Sequence, residues 1–148
     1  YIFAYMQFKF QVSAQVGIVQ VTNFRSAVMY LIEAEANCHL GNKDTETQNL
    51  LIELNRTSGR NTAYTCTKTG DELLEEVKLY RRIELWGEGF DWFDYKRWKE
   101  SIVRKSYPEG SFHVQFAVTI APDDNNYWTW VYPAKEIDYN EDISSSVE

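Results

Sequence analysis

At 148 residues the chain is long enough for one domain with a real core. It carries 22 acidic against 15 basic residues, a net charge of −7, and this argues against a nucleic-acid role, because phosphates are neutralised by a basic patch. The five Trp, ten Tyr and eight Phe either fill a core or stack on the apolar faces of sugars, and core filling is expected for most of them.

Alternation of Met6, Phe8 and Phe10 against Gln7 and Lys9 predicts a half-buried strand over 5–10. A second β-like run, Val16 to Val21, is broken by Gly17. Thr22 or Asn23 then caps a helix with Phe24, Ala27, Val28, Leu31, Ala34 and Cys38 on one stripe, stopped by Gly41-Asn42. Asp44 starts a second helix with Leu50, Leu51 and Leu54 on one face, and Ser58-Gly59 ends it. The pair has the length of one tetratricopeptide repeat. A single pair cannot bury its apolar faces alone, so stacked neighbours are expected.

A Thr-rich loop follows from Asn61 to Gly70. Asp71 is expected to cap a third helix, striped by Leu73, Val77, Tyr80, Ile83 and Trp86 and broken by Gly87 and Gly89. A short fourth helix carries Trp92, Tyr95, Trp98 and Ile102. Tyr107-Pro108-Glu109-Gly110 reads as a turn, and Phe112 to Val118 alternates as a strand. After a polar loop from Ala121 to Asn126, Tyr127 to Tyr132 is read as the last strand, closed by Pro133. The tail around Ser144-Ser145-Ser146 is expected to fray.

No run of 18 or more apolar residues is present to cross a membrane as a helix. The start at Tyr1, in strand-like sequence without the layout of a signal peptide, leads to the expectation of a fragment. Any targeting signal would then lie upstream. Two cysteines are too few for a disulfide scaffold. Cys38 lies on the helical stripe with Leu31 and Ala34 and is read as a buried free thiol, and a bridge to Cys66 is the lesser alternative.

The stretch from Arg81 to Trp98 sets charged residues among aromatic ones and carries two glycines at a helix end. Arg81-Arg82-Ile83-Glu84-Leu85-Trp86-Gly87-Glu88-Gly89, followed by Asp94 and Lys96-Arg97, resembles the signature of the SusD/RagB family of outer-membrane nutrient-binding lipoproteins. Arg25, Met29-Tyr30-Leu31-Ile32 and Ala34-Glu35-Ala36 are similar to the family's helical core pattern, with Val28 where Glu is usual. Gly41-Asn42 and Leu54-Asn55-Arg56 fit its continuation. Trp128, Trp130, Pro133, Glu136-Ile137 and Asn140 resemble its closing strand and turn. Any one of these motifs is a weak signal; four in this order and spacing are a strong one. Departures are Asp91, where many members carry Arg, and Glu141-Asp142-Ile143-Ser144 in place of a Gln-Asn tail.

The resemblance implies a mainly α fold with a tetratricopeptide-like helix pair, signature helices and a few short β-strands. Residues 1–148 are read as the C-terminal part of one such domain, its partner being the missing N-terminal part of the same protein. It further implies a lipid-anchored lid at the outer-membrane surface, held by a Cys not present in this chain. Such a lid sits over a SusC-type TonB-dependent transporter and holds oligosaccharide, in some members peptide, nutrients. It implies no enzyme activity and no cofactor.

Arg82, Glu84, Glu88, Gly89, Asp94 and Arg97, with Arg81, are read as the structural skeleton of the signature. Their charges are expected to form an ion-pair network locking the third helix to the fourth. The sharper alternative makes Glu84 and Glu88 the acid/base pair of a glycoside hydrolase, but two carboxylates on one helix face seldom flank a substrate. Gly87 and Gly89 lack the Lys-Ser/Thr that follows a phosphate loop. Trp128 and Trp130 share one face of the expected last strand, as a sugar platform or, with more weight, as packing. Tyr107 and Tyr127, beside turns, are the ring candidates for exposure, and with Trp128 and Trp130 they are the candidate ligand-binding residues. Asp123-Asp124-Asn125-Asn126 is read as a solvated turn rather than a calcium loop, and His39 and His113 have no partner at metal-ligand spacing. A protein-binding helical repeat module is the main rival reading.

Overall fold

The computed structural model describes residues 25–129. They are mainly helical, with one small antiparallel sheet, and the chain divides into two compact units, Tyr1–Glu88 and Gly89–Glu148. The strand expected over 5–10, the run over 16–21, the caps Thr22 and Asn23, and everything from Trp130 onward lie outside the described residues.

The first unit holds three helices of equal length: α1 (Ser26–Leu40), α2 (Asp44–Ser58) and α3 (Gly70–Glu84). The stops of the first two are where the glycines put them. Gly41 and Gly59 take left-handed φ of 76° and 66°, and the Gly41 N–H donates back to the Asn37 and Cys38 carbonyls. The core between the helices consists of Ala27, Leu31 and Ala34 from α1, Leu51 and Leu54 from α2, and Leu73 and Val77 from α3, closed by Leu85. Each fully buried leucine contributes roughly 1.5–3 kcal/mol. Small side chains bring α1 and α2 close: the buried Thr47 hydroxyl reaches the Ala34 carbonyl at 3.4 Å and its own helix's Lys43 carbonyl at 3.1 Å.

The loop between α2 and α3 is tied down by polar bonds. Gln48 donates to the Lys68 carbonyl at 2.7 Å, and the Gly70 N–H donates to the Asp44 carboxylate at 3.2 Å. The Tyr64 hydroxyl donates to Glu76 at 2.9 Å, Lys68 pairs with the same carboxylate at 2.5 Å, and the Tyr64 ring meets Tyr80 edge-on at 5.2 Å.

The sequence expectations for this unit need three corrections. Thr69, not Asp71, is the N-cap of α3; Asp71 lies in the first turn, where its charge suits the helix dipole. The inward stripe of α3 does not run on through Ile83 and Trp86, which are 45% and 43% exposed. Glu84 and Leu85 are buried in their place, because Glu84 is drawn inward by arginines and the helix ends at once. Both cysteines are free thiols, and Cys66 is the buried one, whereas Cys38 is half-buried.

The second unit contains α4 (Phe90–Trp98), β1 (Ile102–Arg104), β2 (Val118–Ile120) and a four-residue helix, α5 (Asn125–Trp128). The strands pair antiparallel, Ile102 with Ile120, Val103 with Thr119 and Arg104 with Val118. Here too the structure departs from the sequence reading. Lys99, left-handed at φ 55°, stops α4, so Ile102 belongs to a strand and not to the helix. The alternation from Phe112 to Val118 is not one strand. Val114–Phe116 form a 3-10 turn, with the His113 ring accepting from the Gln115 N–H, and Val114 and Phe116 face solvent. The strand begins only at Val118, where Ile120 finds a buried position. Tyr127 and Trp128 are helical rather than extended, since their N–H groups return to the Asp124 carbonyl.

Candidate functional site

The signature charges form two local arrangements, one in each unit. In the first, Glu84 ends α3 with its side chain 3% exposed. The Arg25 guanidinium, at the N-cap of α1, bonds the Glu84 carboxylate and donates to the Glu84 carbonyl at 3.0 Å and to Glu88 at 2.6 Å. Arg60, just past the glycine that ends α2, meets the other Glu84 oxygen at 2.8 Å. One buried carboxylate thus gathers the beginning of α1, the exit of α2 and the end of α3. Burial acts to lower the Arg25 pKa, but the bonds to Glu88 and Glu84 outweigh it and hold the guanidinium charged. Gly87 and Gly89, at φ of 75° and 84°, supply the left-handed backbone of the turn between α3 and α4.

In the second unit, Asp94 is buried on α4 and accepts from Arg97 Nε at 2.8 Å. The same guanidinium lies 4.8 Å over the Trp98 ring. Trp92 packs against Trp128 with ring centroids 4.7 Å apart, and Trp128 is 3% exposed. Its indole N–H donates to the Ala121 carbonyl at 2.5 Å, and its own carbonyl accepts from Lys96 at 3.0 Å. Trp128 therefore occupies the packing role weighed against a sugar platform, on a helix instead of a strand. Trp130 lies outside the described residues.

Tyr127 is half exposed and Tyr107 is 85% exposed. Tyr107 sits in the turn read from the sequence, with a cis Tyr107–Pro108 peptide. Backbone bonds close that turn: Gly110 N to the Ser106 carbonyl at 2.9 Å, Phe112 N to the Lys105 carbonyl at 3.2 Å, and Tyr107 N to the Phe112 carbonyl at 3.3 Å. A cavity of about 340 Å³ opens there, lined by Lys105, Ser106, Tyr107, Pro108, Glu109 and Ala117.

Sequence spacing paired Glu84 with its own helix neighbours and did not point to Arg25 or Arg60 as partners. Arg25 stood only in the helical core pattern, and Arg60 stood in no motif. The single local hint is a basic residue beside a helix boundary in each case. Among the described residues, no cluster of three or more His, Cys, Asp or Glu is placed to hold a metal.

The family model for the SusD family matches residues 5–146 of this mainly α chain. The chain belongs to the SusD family. Among solved structures it is similar to a SusD-like carbohydrate binding protein from Bacteroides vulgatus, at 37% identity and a TM-score of 0.51. The match covers 68% of this chain and 21% of that one, so this chain spans about a fifth of its solved relative. No curated protein matches.

Proposed function

We propose that this chain works as part of a nutrient-binding protein that holds glycans at the cell surface. The observation that carries the reading is the family match over nearly the whole chain, joined to 37% identity with a carbohydrate binding protein. The bound oligosaccharide, or in the alternative a peptide, passes to a SusC-type TonB-dependent transporter. The protein is held at the outer membrane by a lipid on a cysteine outside this chain. It makes and breaks no bond: aromatic faces and polar hydrogen bonds hold the nutrient, and the transporter moves it.

The arrangement at α3 supports binding over hydrolysis. Glycoside hydrolysis needs two carboxyl groups flanking one bond. Glu84 and Glu88 instead converge on a single guanidinium, that of Arg25. A glycan array probed with the full-length protein is expected to retain oligosaccharides without shortening them. Retention of peptides alone would move the reading to peptide capture, and shortened glycans would restore the hydrolase. Recovery of the full-length protein in the cytosolic fraction would overturn the surface role.

A further inference from the structure

We infer that the cavity at the Tyr107–Pro108 turn is a subsite for one neutral sugar ring. This rests on the nutrient-binding reading and gives it a place in the second unit.

Three features of the cavity select the ligand. The first is shape and size: about 340 Å³ lies at the lower end of the range for small-molecule sites, roughly 300–1,000 Å³. The second is an apolar face. Tyr107 is 85% exposed and lines a concavity with Pro108 beside it. A tyrosine so exposed keeps its ring face free for a partner, and such faces accept the C–H side of a pyranose. The third is a polar set with no net charge. Lys105 and Glu109 pair at 3.5 Å, so the two formal charges of the lining cancel. A phosphate or carboxylate ligand would need an uncompensated cation, and a cationic ligand an uncompensated acid. What the lining offers is ammonium donors, carboxylate acceptors and the Ser106 hydroxyl, which serves as both. That set suits a neutral polyol.

The site is also preformed. The three backbone bonds that close the turn fix Ser106 and Tyr107 before any ligand arrives, so less ordering is lost on binding. Gly110 permits the closure, since a Cβ there would stand 2.8 Å from the Lys105 carbonyl carbon.

The test is calorimetric titration of the full-length protein with maltohexaose, xylohexaose and mannohexaose. One of these is expected to bind, Tyr107→Ala to weaken it by about tenfold, and Tyr107→Phe, which keeps the ring face, to leave it within about twofold. In parallel, wild-type protein is treated with tetranitromethane, with and without saturating sugar, and nitration of Tyr107 is read by mass spectrometry. Protection by the sugar is expected, and this readout does not depend on a variant folding. Unchanged affinity in Tyr107→Ala, or nitration unaffected by bound sugar, overturns the subsite and leaves nutrient binding intact. Failure of the wild-type protein to bind these or any arrayed glycan overturns both.

Discussion

Single residues at the ends of helices carry much of this structure. Arg25→Ala would take from the buried Glu84 a guanidinium that bonds both its carboxylate and its carbonyl, and Arg60, which meets the other carboxylate oxygen, is itself 41% exposed. The expected loss is about 2–3 kcal/mol, read as a lower urea midpoint of the full-length protein. Lys99 makes the opposite prediction. It is a non-glycine residue held at φ 55° where α4 stops. Lys99→Gly relieves that backbone and is expected to stabilise by about 0.5–1 kcal/mol, seen as a higher melting temperature. Gly41 and Gly59 were legible in the sequence because a helix stop is written in one residue's own conformational range. Arg25 and Arg60 were not legible as partners of Glu84, because nothing local records which distant chain ends meet.

At the scale of elements, the three-helix core is the firmest part of the first unit. Leu31 is fully buried among α1, α2 and α3, so Leu31→Ala is expected to cost about 2–5 kcal/mol in chemical unfolding. The loop before α3 gives a pH-dependent term. Burial pushes the Glu76 carboxyl up, but the bonds from Lys68 and Tyr64 outweigh it and hold its pKa below the ordinary 4.5. A carboxylate depressed in the folded state adds stability that is complete above its unfolded value and is lost as pH falls through its folded one. Stability should therefore decline below about pH 4.5, and Glu76→Gln should flatten that decline in urea midpoints measured between about pH 5 and pH 3. Tyr64 is raised by burial and by its bonds to Cys66 and Glu76, so its contribution holds below its ordinary pKa of 10 and weakens above it. The long helices were readable because their apolar positions recur over fifteen residues each. The strands were not. A strand of three residues, such as Ile102–Arg104, is decided by its partner across the sheet, and the alternating Val114 and Phe116 faced no core at all.

For the whole molecule, the signature from Arg81 to Trp98 was the surest guide to the family. Within it Glu84 and Glu88 hold Arg25, and Asp94 holds Arg97. The surface we propose for a ligand is the Tyr107 turn, whose ring the sequence had placed among four aromatic ligand-binding candidates. The solved relative is about five times longer than the stretch it shares with this chain, so the remainder of its surface has no counterpart in the match.

The Arg25–Glu84 bond spans 59 positions of chain. Each helix can begin to form from its own local contacts, but this bond waits until the chain has closed a loop of that length. Until then, any collapse that buries the end of α3 takes a carboxylate from water with Arg60 but without Arg25, which is costly. A misassembled bundle with α1 out of place is thereby penalised at the contacts of one guanidinium. Glu84 thus favours the assembly in which the first helix has arrived.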